Sequence, residues 1–455
     1  MEETEAVEED RPSHLRAYVT VLAASLLHMS SGAVTGWSSP ILPKLNLTSN
    51  EQSLVGSLYS LGAAPGPFII TFGIDTIGRK GTIYVFWACF LLSWIILVAS
   101  QNLYVIYVAR LIGGIGVGGA SAGIPVYISE IALPEIRGSL GAMSLLALGF
   151  GTLVMFGFGP YITYTSLALY GLAMAAVFGV FFYFVPESPY YYCKKGRRNE
   201  AQYAIQKLRG YKTQEKLDEE LAQIERAILF EKENASSFLE AIRQPVALKA
   251  LGIGIFIVAI QQSQGVNPIN AYNQMIFEHA QLNFPASYVP VIYLFIGTAF
   301  LILPVLMINK CLGVKTAYIL SGFGTSISLV LLGVYFYMIN SGGVNMHDYS
   351  YISVVFLTLL SLFSHLGIAP LTWPIVAEIL PLSVKGVCTG ICGCISSLIG
   401  FLYLAMFPNI AQDYGYSTDF FGFAAILFVS TTIAIFIIPD TTGKTLQEIQ
   451  ELLAE

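Results

Sequence analysis

The sequence predicts an all-α membrane protein whose twelve transmembrane helices form two six-helix halves. Three observations predict this fold class: the composition, the number of long apolar segments and an internal repeat. Of the 455 residues, 55% are hydrophobic and only 11% are charged, whereas a soluble domain carries roughly 25% charged residues. The mean hydropathy of +0.66 is typical of a chain that crosses a bilayer many times.

Twelve apolar segments are long enough to cross a bilayer, which takes about 20 helical residues. The segments are 17–38, 53–74, 82–100, 103–124, 139–158, 166–185, 248–272, 287–308, 316–339, 349–373, 387–408 and 419–438. The longest loop repeats apolar residues at helical spacing, which predicts short amphipathic helices. The predicted domains are an acidic cytosolic tail (1–16), an N-terminal six-helix bundle (17–185), a cytosolic helical linker (186–247), a C-terminal six-helix bundle (248–438) and a cytosolic tail (439–455).

The basic residues predict the orientation, because lysine and arginine concentrate on the cytosolic side of a membrane. Of the 23 basic residues, only Lys44 falls in a predicted outer loop, and Arg110 lies in the fourth segment near its outer end. Both termini are therefore predicted to be cytosolic, and we expect a multi-pass protein of the plasma membrane. Asn46 opens an N-x-T sequon in the first predicted outer loop, which agrees with this orientation.

An internal repeat relates the two halves. The stretch "EIALPEIRG" at 130–138 recurs as "EILPLSVKG" at 378–386, with the acid, the base and the final glycine each 248 residues apart. The stretch "PESP" at 186–189 is matched by "PDTTGK" at 439–444. Two equivalent halves imply a parallel repeat about an axis along the membrane normal, an arrangement typical of transporters that rock around a central site.

The repeated loops carry charges that could latch the cytosolic side. Glu130 can pair with Arg137, or these two can pair with groups in neighbouring loops. Part-exposed ion pairs contribute a few tenths to ~1 kcal/mol each, which suits a gate that opens and closes. The alternative is ordinary cytosolic positive charge with incidental carboxylates. The candidate gate residues are Arg79, Glu130, Arg137, Glu187, Glu378 and Lys385.

Several other site classes are excluded or disfavoured. The glycine-rich run "RLIGGIGVGGASAG" at 110–123 lies in a membrane segment, so close helix packing explains it better than a nucleotide loop, which needs a preceding strand. Cys388, Cys392 and Cys394 could suggest a soft-metal site, but small residues packing one helix against another are the preferred interpretation. We find no catalytic set of residues, and we predict no enzyme activity, no cofactor and no metal.

The stretch "QQSQGVNPINAYNQ" at 261–274 places amides in a membrane segment, where polar groups are costly to bury. A helix broken after Asn267 and Pro268 is tolerated where it lines an aqueous cavity. Carboxamides both donate and accept hydrogen bonds, as sugar hydroxyls do. The stretch therefore indicates a site for an uncharged polyol, and the alternative is polar contact between helices.

The motifs together resemble the sugar porter family of the major facilitator superfamily over about residues 15–450. They are "GRK" (78–80), "ARLIGGIGVG" (109–118), "PVYISEIALPEIRG" (125–138), "PESP" (186–189), "QQSQGVN" (261–267), "PLTWPIVAEILP" (370–381) and "PDTTGKTLQEIQ" (439–450). The stretch "GWSSPILPKL" at 36–45 is similar to the insect branch of facilitated trehalose transporters. The resemblance implies the major facilitator fold and transport of a sugar or sugar-like solute by alternating access.

The resemblance also implies roles for individual residues. It implies hydrogen bonds to the sugar from Gln261, Gln262 and Asn267, with the Trp373 ring packed on the pyranose. It implies positions near the outer gate for Tyr272 and Asn273, and it places His365 where the family usually has an acid. The expected partners are a sugar or glycoside and membrane lipid, with no nucleic acid, and we expect a monomer.

Three departures from the family pattern widen the expected pocket and make it less polar. Leu145 replaces a Gln, and Gly393 with Cys394 replaces an Asn-Trp pair, so a disaccharide or an aryl glucoside fits better than glucose alone. Val34 replaces the aspartate of proton-driven relatives, which predicts a passive uniporter. The alternatives are a proton-coupled symporter of a glucoside or other modified solute, with His365 facing the cavity, and a non-transporting sugar sensor, which usually needs a longer cytosolic tail.

The predicted orientation can be tested through glycosylation. Asn46 should carry an N-glycan, and Asn234, which opens a second sequon in the predicted cytosolic linker, should not. Glycosidase treatment of protein from insect cells should increase its electrophoretic mobility, and Asn46→Gln should abolish that change. A change that disappears in Asn234→Gln instead would contradict the orientation.

Overall fold

The computed structural model describes residues 14–211, 213–233, 242–300, 312–341, 346–381, 383–444 and 446–454. In these residues eleven spans are long and apolar enough to cross a membrane. A shorter apolar helix, Tyr288–Phe300, begins the predicted eighth segment, whose remainder from 301 lies outside the described residues. The predicted all-α membrane fold is confirmed.

The first half contains eight helices, because two of its six spans are interrupted. They are α1 His14–Gly36, α2 Ser38–Ile41, α3 Ser49–Ala63, α4 Gly66–Thr76, α5 Gly78–Ala99, α6 Leu103–Ile131, α7 Arg137–Phe158 and α8 Tyr164–Tyr183. Local sequence starts several of them. The Thr48 side chain and Glu51 form a capping box at α3, and the Asn102 side chain accepts the Tyr104 N–H at α6.

The linker folds into short helices, as its amphipathic pattern predicts. They are α9 Pro189–Lys194, α10 Arg198–Arg209 and α11 Gln214–Glu233. Apolar side chains of α10 and α11 form a small core of their own. The buried Arg209 guanidinium donates to the Ile131 carbonyl (2.6 Å) at the end of α6, and it pairs with Glu220 (2.9 Å). The linker is therefore docked on the first half.

The second half repeats the helical pattern. Its described helices are α12 Pro245–Ser263, α13 Val266–Glu278, α14 Tyr288–Phe300, α15 Val314–Ser341, α16 Tyr351–Leu366, α17 Ile368–Ile379, α18 Lys385–Tyr414, α19 Tyr416–Ile437 and α20 Leu446–Ala454. Helix α3 packs along α18, and α14 packs against α7, so these pairs join the two halves.

Two spans of the second half are interrupted by the same local sequence, a glycine followed three residues later by a proline. The chain between α12 and α13 turns at Gly265, whose φ of +70° favours glycine. The chain between α16 and α17 turns at Gly367. In both, a proline follows three residues after the glycine, at Pro268 and Pro370. At these positions the N–H that proline lacks costs no hydrogen bond, because the N–H groups in the first turn of a helix have no partner within the helix.

This geometry corrects one expectation from the sequence. The helix does not loosen after Asn267 and Pro268; it breaks before them, at Gly265. The reason is that proline is tolerated in the first turn of a helix, whereas glycine alone adopts the positive φ without strain. Asn267 therefore lies in the first turn of α13, directly beyond the break.

Glycines of α6 allow close contact with α3. A Cβ added at Gly118 would lie 2.0 Å from the Ala63 carbonyl oxygen, and one at Gly114 would lie 2.1 Å from that of Tyr59. The glycine-rich run therefore packs one helix backbone against another, as the sequence predicts for a membrane segment.

The described hydrogen bonds between the two halves are concentrated toward one end of the bundle. Where both partners are described, the hydrogen bonds between halves lie at the end that carries Asn46 or near the middle. Ser53 donates to the Ala405 carbonyl (2.5 Å), and Ser60 donates to that of Ser397 (2.9 Å). At the opposite end, which we call the charged end because Arg79 and Glu130 lie there, a Cβ added at Gly138, Gly141 or Gly386 would meet no atom within 4 Å.

The glycine contact gives a stability prediction with a matched control. Gly118→Val should destabilise the fold by ~1–3 kcal/mol or more, because the α3 backbone cannot move away without losing its own packing. Gly141→Val should have little effect, since its Cβ would meet open space. The measurement is the melting midpoint of the detergent-purified variants, followed by size-exclusion chromatography. Equal melting midpoints would contradict the close approach of α3 and α6.

Candidate functional site

A hydrogen-bond network of three side chains lies beside the break in the α12–α13 span. Gln262 donates from Nε2 to Ser396 Oγ (2.8 Å) on α18, and its Oε1 accepts from Asn267 Nδ2 (2.6 Å). Gln262 and Asn267 are both half-buried. Their amides are therefore hydrogen-bonded to each other while both residues remain partly exposed.

The neighbouring glutamines have different environments. Gln264 is 2% exposed; its Oε1 accepts from Ser364 (2.5 Å) and its Nε2 donates to the Gln261 carbonyl (2.9 Å). The Gln261 side chain is half-buried. We therefore distinguish a structural amide, Gln264, from two accessible amides, Gln261 and Gln262. Sequence reasoning did not identify Ser396 and Ser364, because nothing local links them to glutamines more than 99 residues away in the chain.

Trp373 on α17 is 38% exposed although it belongs to a helix of the bundle. Its ring lies near Gly393 on α18: a Cβ there would be 3.8 Å from Trp373 Cη2 and 3.0 Å from Pro67 Cγ. Leu145, on α7, is 52% exposed. Glycine at position 393 therefore leaves little extra space, because Pro67 of the first half lies there. Leu145 presents an exposed apolar side chain.

Tyr272 closes the end of the bundle that carries Asn46. Its ring is 1% exposed and stacks on Phe407, with centroids 5.5 Å apart. Its hydroxyl lies within hydrogen-bonding distance of two backbone carbonyls, Leu404 (2.9 Å) in the second half and Ser53 (3.4 Å) in the first. The contact requires Gly56, since a Cβ there would lie 2.2 Å from the tyrosine oxygen.

Asn273, the next residue, is fully buried, and neither atom of its amide finds a hydrogen-bond partner among the described residues. An unsatisfied buried amide costs ~1–3 kcal/mol. Such a cost is tolerable in one state of a protein if another state satisfies the group. The unsatisfied Asn273 amide therefore makes the observed closed end less stable than its packing alone would make it.

Arg110 is a buried cation without a carboxylate partner among the described residues. It is 1% exposed, and its guanidinium donates to the carbonyls of Val34 (2.5 Å) and Val55 (3.0 Å). The rings of Tyr59 and Trp37 lie 4.8 and 5.5 Å from its Cζ. Backbone dipoles and aromatic faces thus replace the acid that a buried cation usually requires.

Both histidines in the spans are held by neighbouring helical groups. His365 Nδ1 donates to the Ser361 carbonyl (2.8 Å) one turn earlier, and the ring lies beside Gly297 of α14. His28 bonds Ser144 Oγ (2.6 Å) and the Ala120 carbonyl (3.1 Å). Carbonyl partners are satisfied by a neutral imidazole, so neither contact requires a proton to be gained or lost.

The charged end of the first half contains an ion network centred on Arg79. Its guanidinium binds Glu130 (2.7 Å) and Asp75 (3.3 Å). Ser188 also donates to Glu130. Glu187 accepts the backbone N–H groups of Arg79 (3.1 Å) and Lys80 (3.0 Å).

Burial raises the pKa of Glu187, and the backbone hydrogen bonds from Ser188 and Lys80 oppose that rise. Of the two pairings open to Glu130 from the sequence, the structure contains the one with Arg79. Arg137 is exposed and reaches only the Ala132 carbonyl, at 3.5 Å.

The corresponding charges of the second half are not joined in this way. Glu378 and Lys385 are half-buried, and no ion pair within 4.0 Å joins them to another described residue. Lys385 nevertheless lies in the field of Glu378. Asn46 is exposed at the opposite end, whereas Asn234 lies outside the described residues.

Comparisons with known proteins agree on the family. The model of the family described as "Sugar (and other) transporter" matches residues 13–453. The chain is 28% identical to the Arabidopsis thaliana protein "Sugar transporter ERD6-like 6", over 97% of this chain and 91% of that protein. It is equally 28% identical to "Facilitated trehalose transporter Tret1" of Aedes aegypti and of Culex quinquefasciatus, covering 95% of this chain in each case and 54% and 84% of those proteins.

Solved structures show the same fold. The xylose transporter XylE from E. coli in its inward open conformation has a TM-score of 0.78 at 19% identity, over 96% of this chain and 98% of that one. Its partially occluded inward open conformation has a TM-score of 0.80 at 18% identity, over 95% and 100%. With a family match that covers nearly all of its length, this chain belongs to the sugar (and other) transporter family, and it is a membrane transporter rather than an enzyme.

Proposed function

We propose that the protein carries a sugar or sugar-like solute, such as glucose, trehalose or a glycoside, across the plasma membrane as a facilitative uniporter. The observation that carries this proposal is the accessible amide network of Gln262, Asn267 and Ser396 beside the helix break. Its groups can exchange their mutual hydrogen bonds for those of a polyol at little cost, because each amide both donates and accepts. The half-exposed Trp373 ring offers the flat apolar surface that suits the C–H face of a pyranose.

The arrangement of the halves supports alternating access. The bundle is closed by Tyr272 at the Asn46 end, whereas no hydrogen bond between described residues joins the halves at the charged end, where Gly138, Gly141 and Gly386 adjoin open space. We assign the charged end to the cytosol, since basic residues concentrate there. In this assignment the structure faces inward, and both termini are cytosolic. Opening the other end would release Tyr272 from Ser53 and expose Asn273, whose amide then gains partners.

The surroundings of Arg110 support transport without proton coupling. Its contact on the first helix is the backbone carbonyl of Val34, and a valine side chain binds no proton. Two nitrogens of the guanidinium instead donate to backbone carbonyls, which neither gain nor lose a proton near physiological pH. His365, the proton carrier that the sequence suggests for a symporter, contacts the Ser361 carbonyl in a way that the neutral ring satisfies.

The amide network gives the first prediction on activity. Gln262→Ala should lower uptake roughly tenfold, because the mutation removes one hydrogen bond to the solute and strands its partners. The measurement is uptake of labelled glucose, trehalose and glucosides by oocytes, corrected for surface protein. Gln264→Ala is the matched control: it should lower the melting midpoint instead, since Gln264 is a buried structural amide. Full uptake by Gln262→Ala would reduce the network to a contact between helices.

The absence of proton coupling in the proposed mechanism gives a second prediction on activity. In voltage-clamped oocytes the wild-type protein should move no charge, and uptake should be equal at external pH of about 5.5 and about 7.5. Val34→Asp should introduce pH-dependent uptake, because a carboxylate placed beside Arg110 can gain and lose a proton, whereas Val34→Asn should not. An inward current in the wild type that His365→Ala abolishes would establish a proton symporter instead.

A further inference from the structure

The two halves treat equivalent charges differently at the charged end. In the first half, Glu187 accepts the N–H groups that begin α5, and Arg79 is neutralised by Glu130 and Asp75. In the second half, the matching N–H of Val314 donates to the Thr442 hydroxyl (2.8 Å). The neutral Thr442 side chain of the second half therefore accepts the helix N–H that the Glu187 carboxylate accepts in the first half.

Of the described residues that line this place, Asp440 is the only acid, and it is already engaged. Asp440 accepts from the Thr442 hydroxyl (2.7 Å) and from its N–H (3.1 Å). The hydroxyl contact lowers the pKa of Asp440, so the group is ionised. One negative charge thus remains for three lysines around it, Lys249, Lys315 and Lys444.

These lysines line a cavity of about 500 Å³ that we call the basic groove. No carboxylate of the described residues lies within ion-pair distance of their ammonium groups. Lys249 lies near the start of α12 and Lys315 near the start of α15, while Lys444 follows the end of α19. The positive charge is therefore placed at the ends of membrane helices, the depth at which lipid headgroups lie.

The rest of the basic groove is apolar and continues toward the hydrocarbon. Phe436, in the last turn of α19, is 82% exposed, and Ile437 is 40% exposed. Leu452 and Leu453 of α20 form the opposite wall. A soluble anion would use the lysines and leave this surface uncovered, whereas a phospholipid would cover both parts.

We propose that the basic groove binds an anionic phospholipid of the adjoining leaflet, with the headgroup held by Lys249, Lys315 and Lys444 and an acyl chain packed on Phe436. The charge balance of three ammonium groups against Asp440 selects an anionic headgroup over a zwitterionic one. The site is separate from the amide network, so it does not depend on which solute is carried.

Native mass spectrometry of the full chain in detergent, with added dioleoyl phosphatidylserine or phosphatidylcholine, tests this site. The wild type should retain phosphatidylserine preferentially. The triple variant Lys249→Gln, Lys315→Gln, Lys444→Gln should bind it at least roughly tenfold more weakly, since the anionic headgroup loses all three ammonium groups. The control variant Lys195→Gln, Arg198→Gln, Arg243→Gln removes as much charge from the same end and should bind as the wild type does. Equal retention by the wild type and the triple variant would overturn the proposal.

Two further arms separate a lipid from a soluble anion. Phe436→Ala should weaken phosphatidylserine binding, whereas Phe428→Ala, at another exposed position of α19, should not. Soluble glycerophosphoserine should compete far less well than the lipid, and competition equal to the lipid's would assign the groove to a soluble anion and overturn the proposal. The single variant Lys315→Gln keeps the test decisive if the triple variant fails to fold, and unchanged lipid retention by it would count against the site.

Discussion

Hydrocarbon cannot accept a hydrogen bond from a peptide group, and this constraint governs the rest of the structure. A membrane helix can break only where other groups satisfy its backbone or where water reaches it. The chain meets the constraint at Gly265 and Gly367 with the same spacing of glycine and proline. The amide network lies directly beside the break at Gly265, so the same interruption of the helix also creates the polar site.

Much of the fold is predictable from the sequence, because helix number and position depend on local hydropathy. The sequence predicts a break after Pro268, about three residues beyond its position at Gly265, because proline signals an interruption in a sequence more clearly than the glycine that bends the chain. Contacts across the chain were harder to predict. Nothing near Gln262 points to Ser396, and the choice of Glu130 between Arg79 and Arg137 depends on how three loops meet. The filling of the space beside Gly393 by Pro67 likewise requires both halves to be in place.

The two halves share a plan but distribute charge unequally. The first half neutralises Arg79 internally and carries the docked linker through Arg209. The second half has valine at the position of that arginine, and its lysines at the charged end lie within ion-pair distance of no described carboxylate. The charge of Arg79 in the first half is therefore paired within the protein, whereas the lysines of the second half remain available to a ligand.

Closure by Tyr272 has a consequence for how this chain can change. Its hydroxyl meets backbone carbonyls of Ser53 and Leu404, so this contact does not itself depend on the side chains at those two positions. Position 56 is different, because even a methyl group there would overlap the tyrosine ring. Such a group would leave each half intact and obstruct only their meeting. Selection at Gly56 therefore acts on the ability to reach the shape that is closed at this end, and not on the folding of either half.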